Sequence, residues 1–435
     1  MVTELTRCEK GRRKQAQTLS SKGRAGPCFA PSLCLERDRD MTNEEHTTNT
    51  GVRKAQERLH IDNTTKSGFN ALDSIGKSDS SHARCFTYVA SDGSQKKLPI
   101  VYPEVSYVTN FLLNEDLPGI YHSSFAIDNF YFADRIDEFA VVDPGANALF
   151  IDVGAYDLCG VEFLDEALVR TGTAWEDANV FLTHSHDDHD GNLAYCLDRG
   201  AKRVFMKELH QFGPNAVQDI LTQWGVVRAG ESELSFYIER LVNRCERFKG
   251  YEDRITFVGD GDAIDVGDYH LEVIETPGHT ASHLCLIERE KGILFAGDHV
   301  LDTAPGIMSF TADVRQLQRF LANLAYLKSL DLERVFMCHH EPLIGAPTIN
   351  AFIEKIIASY ERPINKMFTM LEDAPLTVNE LAQKYYFYLP SWDDQPPILH
   401  VRRLAIAFSY LEYLYDMGKA ERQVAEDGAL LYALK

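Results

Sequence analysis

The chain opens without a hydrophobic rhythm. Over residues 1–84 large apolar residues are sparse and follow neither a period of 2 nor one of 3.6, while Ser, Thr, Asn, Lys and Arg dominate. Such a segment buries too little apolar surface to offset the entropy of ordering, which predicts a disordered extension over 1–84. From about Ser106 short apolar runs take over: SYVTNFLL, SSFAIDNFYFA, EFAVV and ALFIDVG, the last two joined by Asp143-Pro144-Gly145. Runs of this length bounded by turn residues predict strands in hairpins. NVFLTH and RVFMKEL then read as strands around a helix over GNLAYCLDRG, with amphipathic helices near 214–224 and 234–247. ITFVGDGDAIDVGDYHLEVIET is strand-rich, HLCLIEREKGILFAG reads as a hairpin, and helical LQRFLANLAYLKSL leads into the strand RVFMCH. Strands in hairpins followed by strands alternating with helices predict an α/β (α+β) domain layered on two sheets.

Beyond His340 the period changes to that of helices. A helix-rich stretch broken by Pro363 is predicted over about 348–372, and Thr377-Val-Asn-Glu380 has the spacing of a capping box. VRRLAIAFSYLEYLYDMGK places apolar residues at 404, 408, 411, 414 and 415 on one face and stops at Gly418. ERQVAEDGALLYAL then reads as a two-stranded ribbon turning at Asp427-Gly428. Helix, helix, helix, hairpin is the order of a winged-helix domain. The pattern therefore divides the chain into an extension at 1–84, a layered domain at 85–349 and a winged-helix-like domain at 350–435.

Charge narrows the partners. The 65 acidic residues outnumber 44 Lys plus Arg, for a formal charge of −21. Such a field repels phosphate backbones unless basic residues cluster. Residues 1–40 hold nine Lys/Arg against five Asp/Glu, whereas 376–435 hold six against eight. The C-terminal region thus lacks the basic face of a nucleic-acid reader. Nucleic acid is an open but disfavoured partner, and a small-molecule substrate is expected. The helical C-terminal region reads as a lid over the layered domain or as a homodimer contact. No apolar run approaches the ~20 residues that cross a bilayer, so no membrane partner is expected. The start, MVTELTRCEKGRRK, has no apolar core and does not read as a secretory signal. Nine cysteines stand singly with no CxxC, which suggests neither a disulfide framework nor a thiolate zinc site and points to a reducing cytoplasm. Cys159 is the one cysteine singled out for reactivity.

The chemistry concentrates after the strand NVFL, in Thr183-His184-Ser185-His186-Asp187-Asp188-His189-Asp190. Given the frequencies of His and Asp in this chain, an H-x-H-x-D-H string arises by chance in roughly one chain in a thousand of this length. His279, Asp298 and His340 each follow another apolar strand. A layered sheet would bring such strand ends to one edge. Five histidines and two aspartates form the imidazole and carboxylate set that suits two zinc ions.

His184-x-His186-x-Asp188-His189 with His279, Asp298 and His340, and Asp152 of FIDVG ahead of them, resemble the motifs of the metallo-β-lactamase superfamily. The resemblance covers about 110–345 and implies an αββα sandwich with metals at one edge of the two sheets. It implies that His184, His186 and His279 bind a first ion and that Asp188, His189 and His340 bind a second. Asp298 would bridge them, with Asp152 and His299 in supporting positions. His340 is preferred over His339 because His-x-Pro matches the family spacing. Two zinc ions per chain are implied, with iron or manganese left open. They would hold water as hydroxide near neutral pH, with Asp188 orienting it as the catalytic carboxylate. The C-terminal region resembles the winged-helix domain of lactamase-beta-2-like hydrolases and endoribonucleases. The leading expectation is a hydrolase of a small ester, lactone or thioester. A metal-dependent endoribonuclease or phosphodiesterase and a metal-loaded DNA-binding sensor are the alternatives.

Overall fold

A computed structural model describes residues 85–89, 95–101, 113–128, 133–155, 160–226, 231–244, 248–302, 304–312, 314–388, 392 and 397–435. The extension expected over 1–84, most of the run SYVTNFLL, and Cys159 lie outside these residues.

The first sheet holds β1 (Cys85–Val89), β2 (Gln95–Val101), β3 (Asn114–Leu117), β4 (Ile120–Asp128), β5 (Ala133–Asp143), β6 (Asn147–Ile151), β7 (Ala178–Phe181), β8 (Arg203–Met206) and β9 (Ile255–Phe257). Its order is β1-β2-β4-β5-β6-β7-β8-β9, with β3 also paired to β4. The hairpin from β5 to β6 turns on Asp143-Pro144-Gly145 and is antiparallel, while β6, β7, β8 and β9 run parallel. The change follows from the connections. A tight turn reverses the chain, whereas parallel neighbours need a crossover. Helices α1 (Val161–Thr171), α2 (Leu193–Asp198), α3 (Ala216–Gln223) and α4 (Glu231–Val242) supply those crossovers.

The second sheet runs β10 (Ala263–Val266), β11 (Tyr269–Glu275), β12 (Leu284–Glu288), β13 (Ile293–Phe295), β14 (Arg334–Met337) and β15 (His340–Ile344) in sequence order. Its one parallel pair, β13 with β14, is bridged by α5 (Gln316–Lys328). The sheets pack face to face through Phe139, Leu149 and Phe181 of the first and Leu271, Leu286 and Phe336 of the second. Phe139 and Phe336 meet at 5.1 Å. The outer face of the first sheet buries Phe150 and Val180 against Phe163 and Leu164 of α1. Helices likewise cover the second sheet, giving the helix, sheet, sheet, helix layering expected from the sequence.

The C-terminal elements are α6 (Ala346–Ser359), α7 (Glu361–Met370), β16 (Leu376–Thr377), α8 (Val378–Tyr385), α9 (Pro397–Asp416), β17 (Ala420–Val424) and β18 (Leu430–Leu434). The helical stretch expected over 348–372 is broken into two helices as the sequence suggests, but they meet at Tyr360 rather than at Pro363. Pro363 sits in the first turn of α7, where backbone N–H groups have no intrahelical partner and proline costs little. The capping box forms: Thr377 Oγ1 accepts from the Glu380 N–H at 3.2 Å, and the Glu380 carboxylate accepts from the Thr377 N–H at 2.8 Å.

The boundary expected at 349/350 falls inside α6. Leu404, Phe408 and Leu411 of α9 share one continuous core with Trp224, Leu324 and Ile353. The described residues all lie within one compact unit, Arg53–Lys435. The C-terminal helices therefore complete the core over the second sheet.

Candidate metal centre

The ends of five strands converge. Asp152 follows β6, the segment His184 to His189 follows β7, His279 follows β11, Asp298 follows β13, and Cys338-His339 forms the turn between β14 and β15. His186 Nδ1 lies 2.9 Å from His184 Nε2 and 3.0 Å from His279 Nε2. Asp298 Oδ2 stands 3.2 Å from His279 Nε2 and 3.9 Å from His184 Nε2. Its other oxygen, Oδ1, faces a second group, 3.4 Å from His189 Nε2 and 3.2 Å from His339 Nε2. Asp188 joins that group, 3.8 Å from His189 Nε2 and 3.5 Å from His339 Nε2. Two donor sets result, His184-His186-His279-Asp298 and Asp188-His189-His339, and in each the donor atoms lie within 4.8 Å of one another.

The surrounding chain fixes which ring nitrogen faces inward. Asp152, itself at φ 59°, accepts from the Thr183 N–H at 2.8 Å, from Thr183 Oγ1 at 2.7 Å and from His189 Nδ1 at 2.8 Å. Thr183 Oγ1, having given its proton to Asp152, accepts from His184 Nδ1 at 3.0 Å. The Arg135 carbonyl accepts from His339 Nδ1 at 2.5 Å. His184, His189 and His339 therefore donate from their outer nitrogens and turn their inner nitrogens toward the centre, an assignment made from these bonds. His283 accepts the Asp298 N–H at 3.2 Å and pairs with Thr276 Oγ1 at 2.8 Å, holding the backbone of Asp298. Gly297 makes this packing possible. At φ +48° a Cβ there would lie 2.7 Å from Thr183 Oγ1 and 2.9 Å from His283 Nε2.

Burial, reinforced by neighbouring imidazoles, holds His184 and His186 well below the ordinary histidine pKa. Burial likewise pulls His279 down to about 4, leaving these three rings neutral near pH 7. Burial also opposes protonation of His189, but Asp298, Asp152 and Asp188 outweigh it and raise its pKa well above the usual value. Burial would raise the carboxyl of Asp298, yet His339 and His189 hold it well below the carboxylate range. A proton can bridge only one of the two short contacts of His186 Nδ1 at a time. His189 Nε2 and Asp298 Oδ1 are buried and meet no hydrogen-bond geometry. Nitrogens sharing one tetrahedral zinc ion stand roughly 3.3 Å apart, close to the spacing of the first set. Nitrogen-rich and mixed nitrogen–oxygen sets of this kind fit divalent transition metals.

One sequence-derived position requires correction. His340 stands outside both sets: it opens β15, its Nδ1 lies 2.8 Å from the Glu341 carbonyl and its ring packs 5.5 Å from Phe352. His339 takes its place because the turn, not the strand, points back to the centre. His299 is fully enclosed, 4.6 Å from the Phe320 ring, and burial lowers its pKa to about 3. It packs beneath the site, its ring 5.7 Å from that of His283. The sequence reading also passed over Cys338, whose thiol lies 3.3 Å from Asp152 Oδ2. It passed over Arg244 as well, which bonds the Ser185 carbonyl and stands 3.5 Å from Asp187. Neither residue carries a local motif.

Comparison with known proteins agrees with this geometry. The family model of the metallo-beta-lactamase superfamily matches residues 137–339, ending on the histidine that completes the second set. A hydroxyacylglutathione hydrolase of Maricaulis maris is 30% identical over 183 residues, 41% of this chain and 68% of that protein. Acyl-coenzyme A thioesterase MBLAC2 of Homo sapiens is 30% identical over 187 residues, 40% of this chain and 62% of that protein. A beta-lactamase domain protein from Burkholderia ambifaria shares the fold with a TM-score of 0.59 at 19% identity, over 74% of this chain and 94% of that one. With two metal-competent donor sets at the edge of an αββα sandwich, the chain belongs to the metallo-beta-lactamase superfamily and is a metallo-hydrolase.

Proposed function

We propose that the chain is a two-zinc hydrolase of small esters, lactones or thioesters, thioesters foremost. The observation that carries this reading is the split of Asp298, one oxygen toward His279 and the other toward His339. A carboxylate facing both donor sets in this way would serve an ion held in either one. His184, His186 and His279 would hold the first ion and Asp188, His189 and His339 the second. Ions bound there supply the Lewis acidity that makes water a nucleophile at neutral pH and polarises the substrate carbonyl.

The residues of the chain do the rest. Asp188 is less buried than the rings around it and is the carboxylate placed to orient the attacking water and take its proton. Asp152 keeps the proton of His189 on Nδ1, so that the lone pair of Nε2 stays available. The names of the hydroxyacylglutathione hydrolase and acyl-coenzyme A thioesterase relatives favour a thioester over a lactone. The order α7, β16, α8, α9, β17, β18 supports the winged-helix reading of the C-terminal region. Its net acidic charge disfavours the endoribonuclease alternative.

Elemental analysis of the purified protein tests the metals, with two equivalents of zinc expected. A panel of acyl-CoA and acylglutathione thioesters, lactones, p-nitrophenyl esters and single-stranded RNA tests the substrate. Chelator-sensitive thioester hydrolysis is expected. Cleavage of RNA alone would replace this reading with the endoribonuclease.

A further inference from the structure

The rings of the two donor sets are not all held in the same way. The outer nitrogens of His184, His189 and His339 are each tied, to Thr183 Oγ1 at 3.0 Å, Asp152 at 2.8 Å and the Arg135 carbonyl at 2.5 Å. Among the described residues no hydrogen bond engages the outer nitrogen of His186, whose Nδ1 points inward to His184 and His279. Nδ1 is one bond from Cγ, so a shift of the main chain at 186 carries the donor atom with it. The donor is only as well placed as that backbone.

The backbone is gripped on both sides of the ring. The His186 carbonyl accepts from the N–H groups of His189 and Asp190, each at 3.0 Å, which closes the loop into a single turn. Arg244 Nη1 donates to the carbonyl of Ser185, just before His186, and stands 3.5 Å from Asp187 Oδ1, just after it. Arg240 Nη2 reaches the other Asp187 oxygen at 3.4 Å. The side chain of Arg244 is 14% exposed and that of Arg240 57%, so water screens the second contact far more than the first. Arg244 thus supplies most of the grip. It lies two residues past α4, whose Leu234, Ile238 and Val242 are buried in the core with Trp224 and Phe408. His279 shows the same device. Its Nδ1 meets no hydrogen-bond geometry, and Asn323 of α5 instead donates to the Pro277 carbonyl at 2.9 Å.

We propose that Arg244 is the positioning residue of His186. By holding the Ser185 carbonyl and the Asp187 carboxylate it sets the main chain on either side of that ring, and with it the affinity of the first donor set. This rests on the assignment of His184, His186 and His279 to one ion, and no substrate enters it. Groups that orient metal ligands are worth about 10- to 100-fold in metal affinity. Arg244 acts through the backbone where Asp152 and Thr183 act through rings.

Zinc competition against a chromogenic chelator, run on the full chain, tests the role without turnover. In Arg244→Gln one of two zinc equivalents is expected to bind about 10- to 100-fold more weakly, with the other unchanged. Arg244→Lys keeps the charge but lacks the fork that spans Ser185 and Asp187, and should fall between. In His339→Ala, where only the first set is complete, Arg244→Gln should weaken the remaining ion by the same factor. The visible bands of the cobalt-loaded His339→Ala chain report ligand geometry at that ion and should shift when Arg244→Gln is added. Wild-type zinc affinity or unchanged cobalt bands in Arg244→Gln would overturn the positioning role. Equal weakening of both equivalents, with a lower denaturation midpoint of the metal-free chain, would overturn it too, as a general structural loss. If Arg244→Gln does not fold, Arg244→Lys decides by the same comparisons. A wild type that binds a single zinc, weakened in Arg244→Gln, would sink the two-zinc reading and leave the positioning role standing. A wild type that binds none would sink both.

Discussion

His339 and His340 are adjacent, chemically identical and treated oppositely by the fold. His339 lies in a two-residue turn, its outer nitrogen tied to the Arg135 carbonyl and its inner nitrogen 3.2 Å from Asp298. His340 is already in β15, paired opposite Met337, with its ring against Phe352. His339→Ala is therefore expected to lose one of two zinc equivalents and most of its activity, whereas His340→Ala keeps both. Zinc analysis of the two variants side by side checks this, and the reverse pattern would restore His340. A second residue-scale prediction concerns His122, between Asp116 at 3.2 Å and Asp137 at 2.9 Å. Burial pulls its pKa down, but the hydrogen bonds and charges of Asp116 and Asp137 outweigh burial and raise it to about 9. A histidine raised above its unfolded value of about 6.5 contributes stability in full below pH 6.5 and loses it as pH rises through 9. The contribution is about 3 kcal/mol. Denaturant titrations of the metal-free protein should show stability falling between pH 6.5 and 9, with that fall flattened in His122→Gln.

At the scale of elements, short local signals and long packed faces act differently. The capping box at Thr377 was legible because its bonds join residues three apart, and it forms as the spacing predicts. Thr377→Ala should cost about 1 kcal/mol, read as a lower denaturation midpoint with an unchanged slope. The apolar stripe of α9 was also legible, but its partners were not. Leu404, Phe408 and Leu411 bury against Trp224 and Leu324, residues 80 or more positions away. Periodicity reports that a face is apolar, not what covers it. The same holds for Pro363: the sequence signals a helix break, and only the packing of two helices shows that the break lies at Tyr360.

For the whole molecule, one core runs from the second sheet through the C-terminal helices. A chain ending at Gly345 would expose that face, including Leu324, Leu327 and Val335. It is expected to lose its cooperative thermal transition and precipitate, which calorimetry and solubility measurements on the shortened chain would reveal. A soluble fragment retaining two zinc equivalents would show instead that residues 85–345 fold alone. Among the described residues no helix is long and apolar enough to cross a membrane.

The sequence alone determined the strand and helix rhythm, the layered class and most of the chemistry at the site. The H-x-H-x-D-H string is local, and strand ends carrying single ligand residues repeat along the chain. Tertiary structure decided what depends on direction. It chose His339 over His340, buried His299, and brought Arg244 and Cys338 to the histidine loop and Asp152. The physical reason is that spacing along a chain fixes which residues end each strand. Where a side chain then points is set by turn geometry and by packing among segments more than a hundred residues apart.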